Sequence, residues 1–158
     1  MSERAEALAA EFEQTNRDVA EVVGQLSDDQ WATLVPGENW PVGVVVRHIA
    51  SSHELIGGWV RALADGQALQ LTHQQVDELN AAQAREHAAC TKPESLALLR
   101  RTGEAAARLV RELDDDQLNR RGAFFEREMS ARQVIERVLI GHPRQHLASI
   151  RAALGQPA

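Results

Sequence analysis

Apolar positions early in the chain fall at Ala5, Leu8, Phe12, Thr15, Val19, Val22 and Leu26, in alternating steps of three and four. That rhythm draws one stripe along a 3.6-residue helix, so a first helix is expected over about residues 3 to 26. Ser27-Asp28-Asp29-Gln30 has the form of a capping box and opens a short turn. "PGENWP" then breaks the chain before Pro41, acceptable at a first helical position, starts a second helix over about residues 41 to 65. Thr72 and Gln75 can cap a lesser helix running to about Cys90, and Thr91-Lys92-Pro93-Glu94 caps the next one. That third core helix repeats the three-four rhythm at Leu96, Leu99, Gly103, Ala106, Val110 and Leu113. Ser130-Ala131-Arg132-Gln133 opens a last helix that Gly155 and Pro157 stop after about Leu154.

A short internal repeat joins these elements. "VVGQLSDDQW" (22–31) and "LVRELDDDQL" (109–118) share Leu, Asp, Asp and Gln positions, each at the end of one long helix and before another. Capping chemistry alone would produce part of that match. The pattern predicts an all-α protein: a single domain over residues 1–158, folded as an up-and-down four-helix bundle with an additional short helix between core helices two and three.

Composition agrees, with no tyrosine and only five prolines in 158 residues, the length of one ordinary domain. The net charge of −6 spreads 17 basic residues among 23 acidic ones without a basic cluster, which argues against a nucleic-acid partner. The N-terminal "MSERAEALAAEFEQ" lacks a signal-peptide core, and no long uncharged apolar run follows, so a cytoplasmic protein without membrane contact is expected. Cys90 is alone, which excludes an internal disulfide and a cysteine-built zinc cage. Any thiol chemistry would then use a thiol carried by a small molecule.

The six histidines carry the chemistry, and helical phase separates them. At about 100° per residue, His142 and His146 lie about 40° apart on the face of Ala131, Ile135 and Val138, pointing inward. His48 shares the face of Val44, Val45, Leu55 and Trp59, opposite a polar side formed by Arg47, Glu54, Arg61 and Asp65. His53 lies about 140° round from His48, beside Val42, Val46 and Val60, and is not a co-ligand from the same face. Three inward imidazoles on two helices can meet across a bundle around a divalent cation, which would satisfy their lone pairs and keep positions open for water or substrate. Spacing alone equally allows hydrogen-bonded core histidines. Pro143 predicts a kink, eased by Gly141, that either re-aims His146 or removes it from the set.

The lesser helix presents Val76, Leu79, Asn80, Gln83, His87 and Cys90 on one side, a stripe too polar for a dry core; it reads as a partly exposed packing helix or as the lining of a substrate cleft. Trp31, Trp40 and Trp59 suit packing, and Trp40 can also roof a pocket. Glu104, Glu128, Asn80 and His53 are candidate partners behind the metal ligands. An apolar edge at Val42, Val46 and Val60 suggests a homodimer.

The segments "NWPVGVVVRHIASSHEL" and "SARQVIERVLIGHPRQHLASIRAALG" resemble the DinB/YfiT-like superfamily. "VDELNAAQAREHAACTKPESLALLRRTGEAAARLVREL" is similar to its branch nearest the N-terminal domain of mycothiol-dependent maleylpyruvate isomerase. The resemblance covers nearly the whole chain. It implies a four-helix bundle binding one divalent metal, zinc or nickel foremost, through His48, His142 and His146. It further implies a thiol-dependent transferase or isomerase that uses mycothiol, bacillithiol or glutathione as cosubstrate, in which the metal activates the thiol toward an electrophilic small molecule. The competing expectations are a non-catalytic metal- or ligand-binding bundle of the stress-response kind, and a structural dimer whose metal site has decayed.

Overall fold

A computed structural model describes residues 2–157. Four long helices form the bundle: α1 (Glu3–Gly24), α3 (Val42–Ala64), α5 (Lys92–Arg111) and a final helix composed of α7 (Ala131–Val134), a π-helical segment (Ile135–Ile140) and α8 (Gly141–Ala153). The short helices α2 (Asp28–Trp31) and α6 (Asp115–Asn119) each precede a small antiparallel hairpin, β1 (Leu34–Val35) with β2 (Trp40–Pro41) and β3 (Arg121–Phe124) with β4 (Arg127–Ser130). The sequence repeat therefore becomes a structural one, long helix, short helix, hairpin, long helix, occurring twice. Ser27 and Asp114, at matching places in the repeat, both close complete capping boxes with Gln30 and Gln117. Thr72 with Gln75 and Ser130 with Gln133 do the same for α4 (His73–Glu86) and α7. These reciprocal bonds satisfy backbone donors that would otherwise be orphaned, which is why the starts of the helices were legible.

The expected four-helix bundle and its additional helix are present, but the helices do not alternate strictly up and down. Arg111 near the end of α5 pairs with Glu6 near the start of α1 at 3.0 Å, so these two helices are antiparallel. Arg61 near the end of α3 pairs with Glu112 just beyond α5 at 3.2 Å, so α3 and α5 run parallel. Arg144 of α8 pairs with Glu11 of α1, and Leu147 and Ile150 pack with Val19 and Val23, so the last helix runs parallel to α1. The order is up, down, down, up. The long connection from Asp65 to Thr91, which contains α4, spans the height of the bundle and frees α5 to lie alongside α3 in the same direction.

Two apolar clusters fill the interior. One gathers Phe12, Ile56, Val60, Leu63, Val110, Ile135 and Leu139; the other gathers Val19, Val45, Ile49, Leu99, Leu147 and Ile150. Val42, Val46 and Val60 are fully buried in these clusters, so the apolar edge expected there as a dimer surface does not exist. Gly43 is needed for packing: a Cβ at this position would sit 2.4 Å from the Trp31 indole. Trp31 Nε1 donates to the Cys90 carbonyl at 3.1 Å, and Cys90 Sγ donates to the Gly43 carbonyl at 3.4 Å. Cys90 thus ties the chain following α4 to the start of α3. None of the described helices is long and apolar enough to cross a membrane.

Candidate metal centre

Three side chains from two helices converge beside the second cluster. His48 Nε2 lies 3.1 Å from His142 Nε2, which in turn lies 3.0 Å from His146 Nε2. The rings meet edge to face, with centroids 4.4 to 4.9 Å apart. The structure thus brings together the three histidines selected by phase, and His48, His142 and His146 alone among the described residues form such a cluster.

Pro143 does not spoil this geometry. It lacks the N–H that would bond to the carbonyl of Leu139, and its ring would press on that carbonyl in a regular helix. The chain answers with the wider π-helical turns of Ile135–Ile140 immediately before it, and Pro143 itself is buried. Beyond the π segment, α8 is regular enough to keep His142 and His146 adjacent at i, i+4.

The outer face of His146 is held by a residue that sequence reasoning missed. His146 Nδ1–H donates to Glu38 Oε1 at 2.7 Å, with both side chains 17% exposed. Glu38 lies in the β1–β2 turn, where Gly37 and Asn39 adopt φ of 85° and 60°. Glycine enters that left-handed region freely and asparagine tolerates it, so "PGEN" can reverse sharply and present the carboxylate to the bundle. An acidic residue in a Pro-Gly turn directly before the histidine-bearing helix was the available signal. Of the partners proposed from sequence, Glu104 and Glu128 are exposed, and Glu128 lies opposite Ala123 in the second hairpin. His53 is fully buried, stacks edge-on against Phe12 and donates from Nε2 to Asn16 Oδ1 at 2.7 Å. Asn80 lines the cleft beside His48.

Burial favours the neutral form of His48 and His142. Burial first, then the neighbouring His146, pushes the His48 pKa down to about 4, while Glu38 works in the opposite direction. Burial together with His146 and His48 lowers His142 further, to about 2, and burial alone lowers His53 to about 3. Glu38 Oε1 accepts the hydrogen bond from His146 Nδ1–H, and in the neutral tautomer this selects, the Nε2 lone pair of that ring faces its neighbours. A proton on His142 Nε2 can bridge one of these contacts as N–H···N, whereas a shared cation would satisfy all three lone pairs. Two imidazole nitrogens bonded to one cation at about 2.1 Å stand about 3.0 to 3.4 Å apart, for bond angles between 90° and tetrahedral. The observed 3.1 and 3.0 Å separations fit that requirement. The donor set fits a borderline transition metal such as zinc or nickel, which His48, His142 and His146 would hold.

His48 also borders a narrow, nearly closed space between α3 and α4, of about 10 Å³. Trp40 packs edge-on against His48, with ring centroids 5.3 Å apart, and forms one wall. Arg47, Ser51, Asn80, Gln83 and His87 line the same space. The lesser helix is the partly exposed packing helix of the two readings, since no residue of α4 is fully buried and its inner face packs over α3 beside His48. A second cavity, a groove of about 670 Å³ between α1 and α5, lies on another face and is lined by Asn16, Leu96, Leu99 and Gly103 among others.

The sequence matches the DinB superfamily over residues 11–150. The chain belongs to the DinB superfamily. Among solved structures this DinB-superfamily chain is similar to YfiT from Bacillus subtilis, described as a probable metal-dependent hydrolase with an unusual four-helix bundle topology. The two superpose with a TM-score of 0.78 at 18% sequence identity, over 99% of this chain and 91% of the other. At that identity the likeness concerns the fold. No curated protein matches the sequence.

Proposed function

We propose that this DinB-superfamily protein binds one divalent cation, zinc or nickel, through His48, His142 and His146, and uses it to transfer a small-molecule thiol to an electrophilic substrate. The observation that carries the proposal is the convergence of three imidazole nitrogens from two helices, with successive separations of 3.1 and 3.0 Å. A bound cation would supply Lewis acidity, lowering the pKa of a thiol or water that joins it at neutral pH. The remaining parts belong to the protein. Glu38 fixes the tautomer and orientation of His146, and Trp40 holds His48 from the side. Asn80 and Gln83 of α4 bring amide side chains beside His48. The thiol itself comes from outside, as mycothiol, bacillithiol or glutathione, because Cys90 is committed to the Gly43 carbonyl.

Elemental analysis of protein purified without metal-affinity resin should find about one equivalent of zinc or nickel, lost in His48→Ala and His142→Ala. Absence of stoichiometric metal that the wild type can bind would refute the site. Incubation of metal-loaded protein with each thiol and a panel of electrophiles should give conjugates that the alanine variants do not form. Hydrolysis by the same centre is the second reading, favoured by the likeness to YfiT; ester or amide cleavage without added thiol would establish it in place of transfer. Stoichiometric metal with neither reaction would leave the non-catalytic metal-binding bundle.

A further inference from the structure

The helix that lies over His48 is thinly attached. No residue of α4 is buried, and its Leu79 is 39% exposed, one of two exposed large apolar side chains among the described residues. Three spaces follow one another along the seam between α4 and α3. A cleft of about 480 Å³ opens beside Leu79 and another of about 380 Å³ beside Trp40, and the 10 Å³ space that His48 borders lies between them. Ser51, Asn80 and Gln83 line both the first cleft and this neck, while Trp40, Val44 and Ala84 line both the neck and the second cleft. The seam is therefore one passage pinched shut at His48. Little holds the pinch: Arg47 Nη2 donates across it to His87 Nε2 at a long 3.5 Å, and Arg47 Nε is buried with no partner.

The two ends of α4 are fastened differently. Beyond its C-terminal end, Cys90 is tied to Trp31 and Gly43 by two part-buried hydrogen bonds. At its N-terminal end, His73 stacks on Phe125 in the β3–β4 turn, with ring centroids 4.4 Å apart and planes 16° from parallel, and donates from Nε2 to Glu126 Oε2 at 2.7 Å. His73 and Glu126 are both exposed, so water competes for that bond. Phe125 has a φ of 55°, a left-handed conformation that a bulky side chain holds only under constraint, here from the His73 ring and from Trp59 edge-on at 5.3 Å. Residues 67–72, which lead into this end, have no regular structure and supply slack. We infer that α4 is a hinged cover, which swings about the Cys90 tie when His73 leaves Phe125 and Glu126, and so opens the seam past His48 to small molecules. Closed, the neck holds about one water; raised, α4 joins the two clefts into a passage of ligand size. Segments with few buried apolar contacts are the ones that open locally while the rest of a domain stays folded. The use of the passage rests on the reading of the histidine centre given above, whereas the swing of α4 requires no metal.

The test uses the full chain stripped of metal with a chelator. Val44→Cys puts a thiol in the neck under α4, and in a separate variant Val46→Cys puts one on the same helix within the second apolar cluster. Labelling by iodoacetamide is followed at each position by peptide mass, with Cys90 read separately in the same sample. Labelling at residue 44 should be about a hundredfold faster than at residue 46, because local opening exposes the first and only global unfolding the second. His73→Ala removes a stack and a hydrogen bond, so it should speed labelling at residue 44 by about tenfold and leave residue 46 unchanged. Equal rates at the two positions, or a rate at residue 44 indifferent to His73→Ala, overturn the inference. Hydrogen exchange on chains without added cysteines gives a second reading that does not depend on how the thiols are tolerated. Amides of residues 73–86 should exchange about tenfold faster in His73→Ala than in the parent while those of residues 92–111 keep their rate, and equal exchange of residues 73–86 in the two proteins overturns the inference. Zinc titrated into the same samples reports on the histidines separately. Fast labelling at residue 44 without zinc uptake removes the metal centre and leaves the cover; zinc uptake with equal labelling at residues 44 and 46 removes the cover alone.

Discussion

Replacing Glu38 by alanine tests how the metal centre is held. Glu38 contributes one charge-assisted hydrogen bond to His146, but its second oxygen, Oε2, is buried without a partner. In the metal-free protein these effects oppose one another, each on the order of 1 to 3 kcal/mol, so the stability of Glu38→Ala should stay within about 1 kcal/mol of the parent. With metal bound the balance changes, because the carboxylate orients the ligand and raises its basicity. Removing such a partner costs about 10- to 100-fold in metal affinity, or about 1.4 to 2.8 kcal/mol. A ligand that binds only the folded state stabilises it in proportion to the logarithm of its affinity, so the same loss reappears in the thermal increment on metal addition. At about 2 to 4 °C per kcal/mol for a domain of this size, the increment should shrink by about 3 to 11 °C. Melting curves with and without saturating zinc, together with competition against a chromogenic chelator, measure both quantities. An unchanged dissociation constant and an unchanged zinc-induced rise in Glu38→Ala would refute the assigned role, and a large fall in the metal-free Tm would refute the compensation.

Three further outcomes follow from the packing. Gly43→Ala should lower stability by about 1 to 3 kcal/mol through overpacking against the rigid Trp31 indole, read by urea denaturation with tryptophan emission; parental stability would show that the indole can move aside. A Cβ at residue 103 would sit 2.1 Å from Asn16 Nδ2, so Gly103→Ala displaces the amide that accepts from His53. Gly103→Ala and Asn16→Ala should each cost about 1 to 3 kcal/mol yet combine by clearly less than their sum, since both act through one hydrogen bond; additive losses in the double variant would separate them. His53 is neutral when folded, with its pKa depressed to about 3 against about 6.5 unfolded. Its contribution is fully present above pH 6.5 and is lost as pH falls toward 3, at up to about 1.4 kcal/mol per pH unit. Metal-free His53→Gln should therefore show a shallower acid slope than its parent in denaturation series between pH 6.5 and 4, and identical slopes would rule out this titration.

Local chemistry made much of the molecule legible. Ser27, Thr72, Thr91 and Ser130 cap helices at the positions their side chains indicated, and Phe12, Val19, Leu99 and Val110 lie buried as the three-four rhythm required. These signals act within a few residues of sequence, so reading along the chain recovers them. The grouping of His48, His142 and His146 was legible for the same reason, because helical phase alone turned all three inward. What tertiary structure decided depends on contacts between distant segments. Glu38 reaches His146 only because a turn folds back onto α8 across 108 residues. Arg47 lines a cleft only because α4 docks on the polar side of α3, and Val42, Val46 and Val60 become core because other helices cover the edge they form. The up-down-down-up order belongs to the same class. Periodicity tells a helix which face to bury but carries no information about the neighbour it is buried against or the direction in which that neighbour runs; those are set by the length of the connections and the packing of the whole bundle.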